Sequence, residues 1–246
     1  MFEKRFNEKL LMQRKAGLYR NPPEIERREG KYVFVGGRRV LNFSSNDYLG
    51  LSTSRELAEK VAANFRKYGT SSSSSRLVTG HYSAISQAER TFARHFGYED
   101  ALFFPSGYQA NLGVVSGLFD HEDTIIFDKH VHASTVKGME LSKAEFLGFK
   151  HNSMSHLQKR LESRTEKQVC VLTEALFSMD GDFLNLAGIE KLKKQYGFFI
   201  IVDEAHSFGA LGEQGRGIAR QVADVAVGTF GKAFGLFGAF AFMPAG

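Results

Sequence analysis

Between residues 101 and 243 the chain carries seven short apolar runs, at 101–104, 124–127, 145–147, 169–173, 198–202, 223–227 and 237–243. Amphipathic stretches near 54–68, 83–97, 108–118, 132–141, 153–163 and 187–196 precede or separate them. A strand without polar alternation must be covered on both faces, so this pattern predicts a mostly parallel sheet between two helical layers. The expected class is α/β, with a sheet of the seven-stranded type.

Ahead of that pattern, residues 3–16 have helical spacing, Asn21-Pro22-Pro23 breaks the chain, and 31–35 and 38–43 read as two strands around Gly36-Gly37. The expected plan is an N-terminal helix and hairpin arm over 1–50 and a large domain over 51–246. Ser71 to Ser75 is the one low-complexity stretch, for which a flexible linker is the default reading.

A chain of 246 residues with 43% hydrophobic and 24% charged residues has ordinary globular composition. Its net charge of +5 is spread over Lys9 to Lys15, Arg27-Arg28, Arg38-Arg39 and Lys191 to Lys194, interleaved with acids. That reads as solvated faces, and no nucleic-acid partner is expected. The single cysteine, Cys170, sits in an apolar run, which excludes an internal disulfide and fits a reducing compartment. No N-terminal apolar segment and no run approaching about 18 apolar residues is present, so a cytoplasmic protein without membrane contact is expected.

In open parallel sheets, ligands gather beyond the carboxyl ends of the strands. Four predicted strand ends carry suitable chemistry: Ser106-Gly107-Tyr108, then Glu174 and Ser178, then Asp203 and His206, then Thr229 and Lys232. Asp203-Glu204-Ala205-His206 also has the form of a helicase box, but that use requires a phosphate loop G-x-x-x-x-G-K-[ST]. The two Gly-Lys pairs, Gly30-Lys31 and Gly231-Lys232, are followed by Tyr32 and Ala233. His130 and His132 could be a metal pair, yet no carboxylate or cysteine cluster completes a ligand set, and no metal is expected.

A cofactor with a basic ring nitrogen, a ring oxygen, an aldehyde and a phosphate would use the set well, and pyridoxal 5'-phosphate has all four. Asp203 suits the ring nitrogen, which must stay protonated for the ring to act as an electron sink. His206 suits the ring oxygen, and Lys232 supplies an amine for a Schiff base. The turn into a helix at Ser106-Gly107-Tyr108-Gln109 offers free N–H groups to the phosphate, and Thr229 adds a hydroxyl. His132 is a candidate to stack on the ring, or an ordinary loop histidine. Glu174 and Ser178 read equally well as caps after a strand, and Lys232 alone reads as an exposed loop lysine.

Several longer motifs carry a resemblance. They include Asn46-Asp47-Tyr48-Leu49-Gly50-Leu51, Ser75-Arg76-Leu77-Val78-Thr79-Gly80, Phe104 to Asn111, His132-Ala133-Ser134, Phe177 to Asp182, Asp203 to Ser207 and Gly212 to Gly217. With these the chain is similar to the α-oxoamine synthases, pyridoxal-phosphate enzymes of fold type I that condense an amino acid with an acyl thioester and release CO₂.

The resemblance implies the fold type I large domain and a role for each matching residue. Lys232 would be the Schiff-base lysine that also removes the Cα proton, and His132 would stack on the ring and hold the substrate carboxylate. Asp203 and His206 would face the ring nitrogen and oxygen, Gly107 and Tyr108 the phosphate. Glu174, Ser178 and Thr229 would complete the cofactor contacts, and Arg20 and Asn46 would lie near the substrates. Thr173-Glu174, His151-Asn152 with His156-Leu157, and Thr229 to Gly235 point to the branch using L-alanine and a pimeloyl thioester, carried on acyl carrier protein or CoA, in biotin biosynthesis. Sister branches use glycine or serine, and a third reading is a cofactor-binding remnant without turnover. A homodimer is also implied.

Two departures stand out. Where the family is glycine-rich, this chain has Gly69-Thr70-Ser71-Ser72-Ser73-Ser74, and serine does not adopt positive φ freely. The chain also stops at Gly246 directly after a predicted strand, so a small C-terminal domain that supplies a substrate-binding arginine is expected to be missing.

Overall fold

The computed structural model describes residues 2–164 and 168–245, which fall into two units, 1–45 and 46–246. In the first, helix α1 (Phe2–Lys15) precedes an antiparallel sheet of β1 (Arg27–Glu29), β2 (Tyr32–Val35) and β3 (Arg38–Leu41). The hairpin turns at Gly36 and Gly37, with φ of 55° and 72°, a geometry that suits two glycines. The sequence pattern predicts two of these strands. The third, Arg27–Glu29, has no apolar signal and is drawn in by pairing with β2 and by Arg27 lying 3.6 Å over the Phe34 ring.

The second unit opens with α2 (Arg55–Tyr68), capped by Ser54, which accepts from the Leu57 N–H. The serine run that follows is ordered by its own hydroxyls: Ser75 caps a tight turn over Arg76–Gly80, and only Ser73 takes a positive φ, of 49°. Arg76 then bonds both carboxylate oxygens of buried Glu89 at 2.8 Å, fastening the turn to α3 (Ser83–Phe96). The stretch is a built loop and no flexible linker.

From there strands and helices alternate as β4 (Asp100–Phe104), α4 (Gly107–Leu118), β5 (Thr124–Asp128), α5 (Ala133–Ser142), β6 (Glu145–Phe149), α6 (Met154–Glu162) and β7 (Val169–Glu174). The rest is α7 (Leu186–Tyr196), β8 (Phe199–Asp203), β9 (Val225–Thr229) and β10 (Ala239–Met243). The seven strands form one sheet in the order β4-β10-β9-β8-β7-β5-β6. All pairings are parallel except those of β10, which runs antiparallel between β4 and β9.

Neighbouring residues on each strand feed different cores. Ile126, Val171, Ile200, Val202, Phe240 and Phe242 pack with α3, α6 and α7, while Ile125, Cys170, Leu172, Ile201, Val225 and Val227 pack with α4 and α5. On β10 the division is by size, with phenylalanines on one face and Ala239 and Ala241 on the other. Phe96, Phe208 and Phe242 cluster around that aromatic face at centroid distances of 5.0–5.4 Å, with Phe208 edge-on to the other two rings. Each buried phenylalanine contributes about 1.5–3 kcal/mol of apolar burial.

Two details of packing place the site. Gly138 lets α5 close onto α4, because a Cβ there would lie 2.8 Å from Val115 Cβ and 3.1 Å from the Asn111 carbonyl. The register sets Glu174 beside Asp203, and Asp203 beside Val227, at the carboxyl ends of the central strands.

Candidate active site

A cavity of about 220 Å³ opens beyond those strand ends. Its lining includes Gly107, Tyr108, His132, Glu174, Ser178, Asp203, His206, Thr229 and Lys232, every residue that the sequence assigns to the cofactor. The elements deliver them separately: the start of α4, the chain entering α5, and the ends of β7, β8 and β9.

Asp203 is held from two sides. Its Oδ2 accepts from Asn111 Nδ2 at 2.7 Å, and its Oδ1 accepts from the Ala205 N–H at 2.8 Å. Asn111 also donates to Ser134 Oγ at 3.0 Å, and Ser134 Oγ lies 2.7 Å from His132 Nδ1. A single chain of polar contacts thus connects the β8 carboxylate to the imidazole at the head of α5. The His132 amide donates to Glu174 Oε1 at 2.6 Å, tying that backbone to β7.

Lys232 Nζ lies 2.6 Å from His206 Nε2. Burial lowers the Lys232 pKa below its ordinary 10.5, against the opposing pull of Asp203 and Glu174. Burial, with the Lys232 charge next to it, takes His206 down to about 4, so the imidazole is neutral at physiological pH. Glu174 moves the other way: burial and then the adjacent Asp203 charge push it up to about 8. The site therefore holds a carboxyl group that burial pushes toward its protonated form, a neutral imidazole and an amine whose pKa burial lowers, all within one cavity.

At the opposite end, Ser106 caps α4 by accepting from the Gln109 N–H at 3.2 Å. Helix geometry gives the first-turn amides at Gly107 and Tyr108 no acceptor inside the helix, so they form an anion-binding end. Thr229 Oγ1 donates to the Gly238 carbonyl at 3.0 Å and accepts from the Gly231 N–H at 3.1 Å, which shapes the turn carrying Lys232.

Asn46, assigned to a substrate, is not part of the cavity lining. Asn46 accepts from the Tyr48 hydroxyl at 3.3 Å, and Tyr48 in turn lies 2.6 Å from His206 Nδ1, so Asn46 joins the site through one intermediary. Arg20 is exposed in the N-terminal unit, after α1. Asn111, Ser134 and Tyr48 were assigned no role from sequence. Asn111 carried a signal, as a polar residue among Ala110, Val114 and Val115 on the buried face of α4. Tyr48 carried none.

Among the described residues one group brings three metal-type ligand atoms within 4.8 Å: His130, His151 and Asp180. The two imidazoles stack at 4.0 Å with planes 6° apart, so their in-plane lone pairs do not converge on a common point. Both nitrogens of His151 already meet carboxylates, Asp128 and Asp182, each at 2.9 Å. These contacts brace the loop bearing Ser178.

The sequence profile described as aminotransferase class I and II matches residues 38–245. The chain belongs to this family. Among its relatives is an 8-amino-7-oxononanoate synthase of Chlorobaculum parvum, 41% identical over 92% of this chain and 61% of the relative. The chain thus spans about three fifths of the length of the curated relatives it matches. Among solved structures, a serine palmitoyltransferase from S. paucimobilis with a bound PLP-myriocin aldimine aligns with a TM-score of 0.89 and 27% identity, over 98% of this chain and 62% of that one. An 8-amino-7-oxononanoate synthase from Francisella tularensis aligns with a TM-score of 0.68 and 35% identity, over 82% of this chain and 57% of that one.

The fold is that of the fold type I pyridoxal-phosphate transferases, and the relatives are of the α-oxoamine synthase type that the motifs resemble. Pyridoxal 5'-phosphate is the cofactor that this membership indicates, and the cavity fits it. A fixed carboxylate, a neutral imidazole, an amine whose pKa burial lowers and a helix N-terminus line one small space.

Proposed function

We propose that this chain carries the cofactor-binding part of an 8-amino-7-oxononanoate synthase, which condenses L-alanine with a pimeloyl thioester, on acyl carrier protein or CoA, with loss of CO₂. The observation that carries the chemistry is the convergence of Asp203, His206, His132 and Lys232 in one cavity. Identity of about 40% to synthases of that name supports the choice of substrates. The arm over 1–50 and the cofactor domain over 51–246 belong to the same proposal.

In this reading Asp203 faces the ring nitrogen, with Asn111 and the Ala205 amide fixing its two oxygens. His206 offers Nε2 to the ring oxygen. Gly107, Tyr108 and Thr229 surround the phosphate, and Ser178 and Glu174 close the rim. Glu174 is the neutral member of the carboxyl pair, which leaves Asp203 to match the ring's charge. When bound, the cofactor supplies an electron sink for negative charge at the substrate Cα. Lys232 provides the amine that meets the aldehyde, and its lowered pKa suits it to take the Cα proton and return one later. His132 packs over the ring and holds the substrate carboxylate. Asn46 and Arg20 serve the amino-acid and acyl substrates.

A second reading has a specific observation behind it, since several serine palmitoyltransferases align with TM-scores of 0.88–0.92. Incubating the purified chain and cofactor with L-alanine, glycine or L-serine and a matching acyl thioester, and analysing products by mass spectrometry, separates the two. An amino ketone from alanine and pimeloyl thioester, abolished by Lys232→Ala, supports the proposal. Product only from serine or glycine rejects it in favour of a sister synthase, and no product from any pair assigns this chain cofactor binding alone.

The proposal includes a homodimer in the cytoplasm. Leu77, Met179 and Phe237 are 97%, 92% and 88% exposed, an unusual apolar display for a monomer. Among the described residues no helix is long and apolar enough to cross a membrane, and Cys170 is a free thiol. Sedimentation of the chain at twice its 27.5 kDa mass is the expected result.

A further inference from the structure

The segment after residue 45 is seated on the turn that carries Lys232. Gly235, at φ +63°, has no room for a side chain because a Cβ would lie 2.7 Å from the Leu51 carbonyl carbon and run into the Ser52 backbone. Asp47 stiffens the segment by accepting from Ser52 Oγ at 2.8 Å, and the Gly50 N–H closes a turn onto the Asp47 carbonyl at 3.1 Å. From this support Tyr48 extends its hydroxyl to 2.6 Å from His206 Nδ1, with the rings tilted at 49°. The other ring nitrogen, Nε2, faces Lys232 at 2.6 Å.

A neutral imidazole owns one N–H, and the partner at one nitrogen decides which atom carries it. A carboxylate at Nδ1 would hold the proton there and leave Nε2 an acceptor. A hydroxyl imposes no such choice, since it donates and accepts. With Lys232 as an ammonium, the amine donates into Nε2, Nδ1–H turns to the tyrosine oxygen, and the tyrosine O–H turns to Asn46 Oδ1 at 3.3 Å. With an acceptor at Nε2, all three protons reverse: Tyr48 donates to Nδ1, and Nε2–H points into the cavity. Asp203 turns its oxygens to Asn111 Nδ2 and the Ala205 N–H and acts on His206 only through its charge, which favours the protonated ring.

We propose that Tyr48 is a positioning residue that lets the group facing Nε2 choose the tautomer of His206, donating to Nδ1 so that the proton rests on Nε2 whenever that group is an acceptor. In the free chain the acceptor is Lys232 once it has lost its proton. In the loaded protein it is the cofactor's ring oxygen, and that half of the inference rests on the proposed function. Tyr48 thereby converts His206 into a neutral donor aimed at one point, with no charge added to the cavity.

Nitrogen-15 NMR of histidine-labelled chain reads this directly, since protonated, hydrogen-bonded and unbonded ring nitrogens resonate apart. The expected result, with pyridoxal 5'-phosphate added or above the Lys232 titration without it, is a protonated Nε2 and a hydrogen-bonded Nδ1. Tyr48→Phe should move the Nδ1 signal to the unbonded position and weaken cofactor binding about fivefold, the loss of one neutral hydrogen bond. Incorporating 3-fluorotyrosine at position 48 should move Nδ1 the opposite way with the cofactor bound at neutral pH, where the more acidic phenol keeps its proton and is the stronger donor. A protonated Nδ1 in the wild type under both conditions, or an Nδ1 signal indifferent to both replacements, overturns the inference. If the chain takes up no cofactor while the alkaline free chain shows the expected shifts, the proposed function fails and the role of Tyr48 stands.

Discussion

Glu174 stands buried beside Asp203 on the adjacent strand, and burial, reinforced by that neighbouring charge, governs how it responds to pH. Glu174 has its folded pKa raised from 4.5 to about 8, so across that interval the folded chain binds more protons than the unfolded one. Its contribution therefore lowers stability as pH rises from about 4.5 to 8. His206 acts with the opposite sign, because its pKa falls from 6.5 to about 4, and its contribution raises stability as pH rises through that window. From pH 6.5 to 8 only the Glu174 effect of this pair remains. Melting temperatures of the cofactor-free chain should fall over that range, and Glu174→Gln should flatten the fall. An unchanged slope in the variant would show that Glu174 is not the group responsible. Lys232→Ala tests the same electrostatics from another side: with the neighbouring charge gone, the His206 midpoint should rise above about 4 in an NMR titration, and an unmoved midpoint would show that the Lys232 charge plays no part.

At the scale of elements, two glycines at the sheet end separate packing from binding. Gly228 on β9 lies under Phe240, and a Cβ there would also fall 2.6 Å from Phe208 Cδ2. Gly228→Ala should cost about 1–3 kcal/mol by overpacking, measured by denaturant unfolding. Gly107, at the start of α4, would place its Cβ 3.6 Å from Thr229 Cβ, an ordinary contact. Gly107→Ala should leave stability within about 0.5 kcal/mol while weakening uptake of pyridoxal 5'-phosphate, followed by visible absorbance. Equal losses in both assays would refute that division. The same elements show what the sequence could disclose. Two-sided burial leaves continuous apolar runs, so the seven strands and their helices are visible as a pattern. The direction of β10 is not, because 237–243 reads the same whichever way it runs, nor is β1, whose arginines form a strand only through neighbours. The strand-end residues Asp203, Glu174 and Thr229 are legible because parallel sheets present ligands there. Asn111 meeting Asp203 and Tyr48 meeting His206 span 92 and 158 residues, distances that no local pattern encodes.

The whole molecule can be followed through its single thiol. Cys170 sits in the middle of the sheet at 1% exposure, and burial pushes its thiol pKa up. Reaction with a thiol reagent should therefore wait for unfolding and proceed at the same rate as loss of far-ultraviolet circular dichroism in denaturant. Faster labelling would reveal local opening around β7. The strand order makes a further demand on how this chain comes into being. β4 occupies an edge of the sheet and its neighbour there is β10, which lies 135 residues further on by the pairing of Phe104 with Ala239. During translation, β4 leaves the ribosome long before that neighbour exists. Its Ala101 and Phe103, together with the aromatic side of α3, must wait uncovered until 239–243 emerges and threads between β4 and β9. The nascent chain should accordingly depend on a holding chaperone until that late segment is free, and a pulse-labelled chain stalled before residue 239 should be protease-sensitive at β4 where one stalled well beyond it is protected.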